Sequence, residues 1–253
     1  MPRILDIVSL GPGRPEQMTL EARDRLVDAR AVYCRIRTRL LADFAKEHRK
    51  PVYSFGHLYR RKEFVRGSDR SLLYATIAGV VVDEAERRDG VVYALPGSAV
   101  FMEATPFLIH KLASARAVLV RTTLGISFVD VVLDALPPEY RKHTYPQLSV
   151  TAANLDMPMD PQFNYLVAQT SDLLTRYGAR KIRQILERRF SREYRFLLVR
   201  PDRAGRSQAK ELRPKDLSRR EVQAALRGEG TLFLPASTID HERESEARHL
   251  SCT

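Results

Sequence analysis

Ile4-Leu5-Asp6-Ile7-Val8-Ser9-Leu10 runs directly into Gly11-Pro12-Gly13 and then into Thr19-Leu20-Glu21-Ala22. A mostly apolar run cut by a glycine–proline turn reads as a buried strand. Pro12 fixes the turn. Thr19 reads as a helix N-cap, with Glu21 favourably placed in the first turn. Strand, glycine turn and helix together leave bare backbone at the carboxyl edge of a parallel sheet, where open α/β sheets bind ligands. The N-terminus therefore reads as a ligand cradle.

Two better-known glycine loops do not fit. A phosphate-binding loop needs Lys and then Ser or Thr after its last glycine, and here Arg14-Pro15-Glu16 follow Gly13. A dinucleotide fingerprint needs a third glycine where Glu16 stands, and a carboxylate there would repel a pyrophosphate.

Outward from this stretch, strands and helices alternate. Ala31–Arg35 and Pro51–Phe55 read as short extended segments. Ser71–Arg88 carries Leu72, Leu73, Ile77, Val80, Val81 and Ala85 at helical spacing and stops at Asp89-Gly90. Val91–Leu95 is a fully apolar strand broken by Pro96-Gly97, followed by a helix near Thr105–Ala113 and a strand at Ala117–Val120. Such alternation predicts a parallel sheet covered on both faces.

Beyond that point the pattern changes. Phe128–Leu136 reads as a short helix. Tyr165–Gln169, Arg195–Val199, Ser207–Leu212 and Thr231–Leu234 read as strands, with helices at Ala179–Arg189 and Arg219–Leu226. A hairpin-like step through Pro201–Arg206 implies an antiparallel element, hence a mixed sheet. The expected organisation is an α/β N-terminal lobe over 1–122, an α/β C-terminal lobe over 123–240 and a flexible tail over 241–253.

Composition narrows the class. The 253 residues are 44% hydrophobic, enough for one large or two moderate cores. No signal-like segment opens the chain and no apolar run reaches the ~20 residues of a membrane span. Cys34 lies in an apolar segment and Cys252 near the end, so a reducing, cytoplasmic setting is expected. The formal charge of +11 suits an anionic partner. Positive residues concentrate at Arg60 to Arg70 and from Arg176 to Arg220. Within the second stretch, Arg180 to Arg188 alternates charge with apolar residues as a solvated helix face does. No aromatic platform interleaves with these charges, so a nucleic-acid partner is not expected. The 6 histidines are dispersed and give no metal-ligand spacing.

Four motifs together resemble the tetrapyrrole methylase superfamily of S-adenosylmethionine-dependent methyltransferases. They are Ser9-Leu10-Gly11-Pro12-Gly13, Tyr93-Ala94-Leu95-Pro96-Gly97-Ser98, Leu124-Gly125-Ile126-Ser127-Phe128-Val129-Asp130 and Leu232-Phe233-Leu234-Pro235. Within that superfamily the chain is most similar to the methylase-like domain often fused to a MazG-type nucleotide pyrophosphohydrolase, above all in Met159-Asp160-Pro161 and Leu166-Val167-Ala168-Gln169. No pyrophosphohydrolase domain is expected in the sequence itself. The resemblance implies a two-lobed fold with S-adenosylmethionine in the cleft between lobes, held largely by backbone atoms. Gly11, Pro12 and Gly13 would border the cofactor. Gly97 and Ser98 would face its amino-acid part, and Val100 and Phe101 would cover its apolar surfaces. Gly125, Ile126 and Ser127 would approach from the second lobe, and Ala168, Gln169, Pro235 and Ala236 would border the adenine. Where the family commonly has Gly-Asp-Pro, this chain has Gly97-Ser98-Ala99; where it has Pro-Gly, this chain has Leu124-Gly125.

Methyl transfer needs alignment more than a catalytic signature, and a base only for a neutral N–H or O–H nucleophile. Arg70 and Tyr74, four apart on the predicted helix, share one face. Their spacing resembles the peptide-backbone N-methyltransferases of the superfamily, which implies that both groups line the substrate channel; a phenol beside an arginine cation could accept an amide proton. They are the candidate catalytic pair. The plainer reading is a core tyrosine and a surface charge at the helix start. His57 and Tyr59 read as loop residues, and Asp130 and Asp134 as solvated. The expected function is methylation of a small-molecule or peptide substrate, by a homodimer. The alternatives are an RNA 2′-O-methyltransferase of the same fold and a non-catalytic cofactor-binding or scaffold protein.

Overall fold

The computed structural model describes residues 3–60, 70–144, 148–201, 207–228 and 230–236. The chain forms two compact units, Met1–Phe128 and Val129–Thr253. The hairpin connection expected through Pro201–Arg206, most of the basic stretch from Arg60 to Arg70 and the tail over 241–253 lie outside the described residues.

In the first unit, β1 (Arg3–Ser9), β2 (Ala31–Cys34), β3 (Val52–Ser54), β4 (Val91–Leu95) and β5 (Val118–Thr122) form one sheet. Its order is β3-β2-β4-β1-β5, and every neighbouring pair is parallel. Side chains alternate between two apolar layers, as the period of a strand requires. Leu5, Ile7, Tyr33, Val91 and Tyr93 meet Leu73, Ile77 and Val81 of α3 (Ser71–Arg87) and Ile109 of α4 (Ala104–Ser114). Val8, Leu10, Val32, Cys34 and Val92 meet Leu26 of α1 (Leu20–Asp28) and Leu41 and Phe44 of α2 (Arg39–Glu47). Helices therefore cover both faces, and the near-continuous apolar strands follow from that. Thr19 caps α1, its Oγ1 accepting from the Ala22 N–H at 3.2 Å. Thr38 caps α2 in the same way through Leu41.

The second unit holds β6 (Leu148–Ala152), β7 (Asn164–Ala168), β8 (Phe196–Pro201), β9 (Ser207–Leu212) and β10 (Thr231–Leu234) in the order β6-β7-β10-β8-β9. β6 and β7 are parallel and the other pairs antiparallel, giving the expected mixed sheet. α7 (Thr170–Arg189) and α8 (Arg220–Arg227) bury Leu173, Ile182, Leu186, Val222 and Leu226 against Tyr165, Val167, Phe196, Leu198 and Leu232. Gly178, at φ 68° and ψ 155°, is non-helical and divides α7 into two helices that meet at a kink. The second runs from Ala179 to Arg189, as the sequence pattern predicts, and the first, before Gly178, is not among the expected elements. Along the stretch read as a solvated face, Ile182, Ile185 and Leu186 point inward while Arg183 pairs with Glu187 at 2.7 Å. Before this sheet come α5 (Phe128–Ala135) and α6 (Pro138–Thr144). The α6 residue Tyr140 lies edge-on to Phe233 and donates its hydroxyl to Glu211 at 2.9 Å.

The division between units falls after Phe128, whereas the change in sequence pattern puts it at 122/123. The cause is local. The Thr123 N–H donates to the Ile7 carbonyl at 2.9 Å, so the chain stays tied to β1 after β5 has ended. Among the described residues, no helix is long and apolar enough to cross a membrane.

Candidate functional site

The carboxyl edge of the first sheet has a topological switch point. β1 leads through α1 to β2, and β4 leads through α4 to β5, yet β1 and β4 are neighbours. Their chains leave for opposite faces of the sheet, which opens the crevice where such sheets bind ligands. The Gly11 and Gly97 loops leave from this point. They are joined by a pair of backbone hydrogen bonds, Gly11 N–H to Gly97 carbonyl at 3.2 Å and Gly97 N–H to Gly11 carbonyl at 2.7 Å.

A third bend joins them through one hydroxyl. The fully buried Ser9 Oγ donates to the Thr123 carbonyl at 2.7 Å and accepts from the Ala99 N–H at 2.9 Å. The Ser9 N–H in turn donates to Thr123 Oγ1 at 3.1 Å. Three loops after three strands are thereby fastened to a single side chain, and Ser9 and Thr123 are positioning residues. Ser9 stands in the first motif, but its linking role had no sequence signal. Thr123 had none at all, since its partners lie more than a hundred positions away.

The glycines divide into two kinds. A Cβ on Gly125 would lie 2.4 Å from the Ser9 Cβ, and one on Gly11 would lie 2.5 Å from the Gln17 carbonyl oxygen. These glycines are needed for close packing of the loops on each other. A Cβ on Gly13 or Gly97 would meet nothing within 4 Å, although both residues hold positive φ. Bare backbone facing open space is what a ligand held by main-chain groups requires, so the cradle fits the nucleoside cofactor implied by the sequence motifs.

The structure places the candidates of the first unit as follows. Gly11 is buried, Pro12 half-buried and Gly13 exposed. Ser98 is buried beside Ala99. Val100 is 64% exposed and Phe101 36%, the latter 5.8 Å from the Phe128 ring, so both can present apolar surface to a ligand. Gly125, Ile126 and Ser127 correct one expectation. They belong to the first unit, not the second, because Thr123 and Gly125 are held on Ser9.

The second-unit candidates separate into two places. β7 and β10 are antiparallel, with Val167 opposite Leu232 and Tyr165 opposite Leu234. Ala168 and Gln169 therefore lie at one end of these strands, and Pro235 and Ala236 at the other, about 14 Å apart for Ala168 and Pro235 and about 20 Å for Gln169 and Ala236 at the usual rise per residue. One adenine cannot border both pairs. Gln169 is exposed and left-handed at φ 57°. Pro235 and Ala236 are held in place, the Pro235 carbonyl accepting from Tyr194 Oη at 2.6 Å and the Ala236 N–H donating to Asn164 Oδ1 at 2.9 Å.

Arg70 occupies the N-cap position of α3, and its carbonyl accepts from the Tyr74 N–H at 3.0 Å. Tyr74 is half-buried against the core of the first unit. Near them lies a polar cluster. Arg35, just past β2, places Nη1 2.9 Å and 3.1 Å from the two Glu103 carboxylate oxygens. Burial pushes the Glu103 carboxyl up, and Arg35 only partly restores it. Burial also raises Tyr59 to about 12, against the opposing pull of Arg35. Tyr59 is thus part of a buried polar cluster rather than a plain loop residue. Asp130 and Asp134 are exposed, as expected. Among the described residues, no cluster of His, Cys, Asp or Glu could hold a metal ion.

Residues 5–208 match the family model of the Tetrapyrrole (Corrin/Porphyrin) Methylases. The chain is 24% identical over 233 residues to the uncharacterized protein YabN of Bacillus subtilis (strain 168). That alignment covers 91% of this chain but 44% of YabN, so the chain spans less than half of that relative. Among solved structures, uroporphyrin-III C-methyltransferase from Thermus thermophilus shares the fold with a TM-score of 0.65 at 16% identity, over 94% of each chain. A cobalamin-biosynthetic cobalt precorrin-4 methyltransferase gives 0.64 at 16% identity, over 93% of this chain and 95% of that one. The Thermus enzyme complexed with S-adenosyl homocysteine gives 0.62 at 14% identity, over 92% of each chain. At such identities the structural likeness is one of fold, while the family match extends over most of the sequence. On that match, with a parallel sheet whose switch point carries the glycine cradle, this chain belongs to the tetrapyrrole (corrin/porphyrin) methylase family.

Proposed function

We propose that the chain is an S-adenosylmethionine-dependent methyltransferase acting on a small-molecule or peptide substrate. The observation that carries this reading is the cradle itself: Gly13 and Gly97 turn bare backbone to open space, and Ser9 ties the Gly97 and Gly125 bends to β1. When bound, the cofactor supplies an electrophilic methyl group on a sulfonium. The residues that would hold it are Gly11, Pro12, Gly13, Gly97 and Ser98, with Val100 and Phe101 as apolar cover and Gly125, Ile126 and Ser127 closing the cradle. Because the loops are fastened in advance, little conformational entropy is lost on binding, which favours affinity.

Tyr74 is the proposed proton acceptor for a neutral N–H nucleophile, with Arg70 lining the substrate path. That assignment gains support from the helix start at Ser71, which keeps the pair one turn apart. We further place the chain nearest the methylase-like branch associated with MazG-type pyrophosphohydrolases. YabN, a longer protein of the same family, is compatible with that placement. A homodimer in the cytoplasm, without membrane or nucleic-acid partners, completes the reading. The net charge of +11 suits a substrate bearing carboxylates.

The test is calorimetric titration of the full chain with S-adenosylmethionine and S-adenosylhomocysteine, followed by transfer of labelled methyl to carboxylated tetrapyrroles and to peptides. Micromolar binding is expected. Absence of binding at millimolar cofactor refutes the assignment. Binding without transfer to either class would favour the scaffold alternative.

A further inference from the structure

A helix that is apolar all round belongs in a core, because water on its outer face leaves that surface unburied. Much of α3 is such a helix. From Ser71 to Val82 it carries no charged residue. Its inner side buries Leu73, Ile77, Ala78, Val81 and Val82 in the core of the first unit. Its outer side leaves Leu72 65% exposed and Val80 39%, with Ala75 exposed between them. α4 packs beside α3 and adds Phe107, 70% exposed. Both helices run back from the carboxyl edge of a parallel sheet, so they are parallel to each other. Leu72 and Phe107 stand near the starts of their helices, at the same end of this layer.

The hydroxyls on this face are already satisfied within it. Thr76 Oγ1 donates to the Leu72 carbonyl and Ser114 Oγ to the Lys111 carbonyl, each at 2.8 Å. Arg116 closes the far end, paired with Asp83 and, at 3.1 Å, with Glu86. The long Lys111 side chain can keep its ammonium in water at the rim. Covering the face would therefore strand few polar groups.

We propose that the outer face of α3 and α4 docks the same face of a second copy of this chain about a two-fold axis. The proposal deepens, and rests on, the homodimer put forward above. Charge selects the occupant. The chain carries a formal charge of +11, so two copies repel where their basic surfaces meet. On this face they can meet without that repulsion, since most of α3 is uncharged and two carboxylates offset Arg116. Area agrees. At 1.5 Å per residue and a width of about 10 Å per helix, the 17 residues of α3 and 11 of α4 give a flat footprint of about 400 Å². Side chains standing out from it raise the accessible surface buried by two copies to about 1,000 Å², the low end for a specific interface. A micromolar dimer is the expected result. Gly79 allows close approach near the axis, because a Cβ there would meet nothing within 4 Å and bare backbone faces the partner helix.

The experiment is sedimentation velocity of the full chain between about 0.5 and about 100 μM, with Leu72→Glu, Phe107→Glu and Leu119→Glu alongside. Leu119 is 50% exposed on β5 between Val118 and Val120, which join the core under α3, so it lies on the opposite face of the sheet and serves as the control. Wild type is expected at twice the chain's 28.9 kDa at the top concentration, dissociating near about 10 μM. Leu72→Glu and Phe107→Glu should each weaken the dimer at least about a hundredfold, because symmetry buries the new charge twice. Leu119→Glu should stay within about threefold of wild type. Circular dichroism checks folding, and either test variant suffices should the other misfold. Raising salt from about 0.05 to about 0.5 M should strengthen the dimer by screening the net charge. Wild type that stays monomeric at about 100 μM assigns the face to a different partner and overturns the proposal together with the homodimer. A dimer that survives the folded glutamate variants, is lost equally in Leu119→Glu, or weakens with salt overturns this surface and leaves the homodimer standing. Calorimetry with S-adenosylhomocysteine reads the methyltransferase assignment independently of all these outcomes.

Discussion

Replacing Ser9 with alanine removes one oxygen atom from the most constrained point of the first unit. The Oγ is fully buried and makes two hydrogen bonds, to the Thr123 carbonyl at 2.7 Å and from the Ala99 N–H at 2.9 Å. Both partners are backbone groups of buried residues, Ala99 at 3% and Thr123 at 1% exposure, so each is left unsatisfied. At about 1–2 kcal/mol for each orphaned partner, Ser9→Ala costs about 2–4 kcal/mol. For a chain of this size, about 3 °C of Tm per kcal/mol gives a drop of about 6–12 °C. The loss should also reach the ligand. With the loop of Gly97 and that of Gly125 no longer held to β1, affinity for S-adenosylhomocysteine should fall at least about tenfold. Thermal unfolding by circular dichroism reads the first quantity and calorimetric titration the second. Ser114→Ala is the control, since that exposed hydroxyl bonds only to Lys111 within its own helix, and its Tm should stay within about 2 °C. A Ser9→Ala protein that melts within 2 °C of wild type, or binds the cofactor product equally well, refutes the idea that this hydroxyl organises the site.

Gly97→Ala and Gly125→Ala should fail differently. Gly97→Ala meets open space and bears only the strain of positive φ, about 1–2 kcal/mol, yet fills the cradle and should abolish measurable S-adenosylhomocysteine binding. Gly125→Ala drives a Cβ to 2.4 Å from Ser9 and should lower Tm more than Gly97→Ala; the reverse order in a melting experiment counts against the packing argument. Tyr74→Phe should eliminate turnover while leaving cofactor affinity within about twofold, and unaltered turnover in a methyl-transfer assay removes Tyr74 from the chemistry. Glu84 is held below the usual carboxylate range, chiefly by the hydrogen bond from Tyr33 Oη at 2.9 Å. Its contribution is therefore present above the unfolded-state value near 4.3 and lost as pH falls through the folded one. In urea titrations the stability advantage of wild type over Tyr33→Phe should shrink between pH 6.5 and pH 3.5; a constant gap would show that the bond does not act through ionisation.

Much of the first unit was legible because its signals are local. Val91–Leu95 is apolar at every position and could only be a strand buried on both faces. Thr19 and Glu21 marked the start of α1 because capping chemistry acts within one turn. Where signals are weak or distant, reading stopped. α2 is only 9 residues long, and Leu40, Leu41 and Phe44 give its apolar face little more than a single turn's repeat. β6 alternates Leu148, Val150 and Ala152 with Ser149 and Thr151, but the run is 5 residues long and half-exposed at every position, a weak signal by itself. Ser9 and Thr123, although adjacent in space, are 114 positions apart, so no spacing rule could pair them. The antiparallel register of β7 and β10 is likewise a property of pairing, and only that register shows Gln169 and Ala236 to be at opposite strand ends.

The Ser9 linkage also decides where this protein can be taken apart. A fragment ending with the last residue of β5 would keep all five strands of the parallel sheet but discard the carbonyl that receives the Ser9 proton. Carried on to Phe128, the same fragment retains its fastening and its bare glycine loop together. Anyone grafting this lobe onto another scaffold has to treat the short run after β5 as cargo, not as the joint.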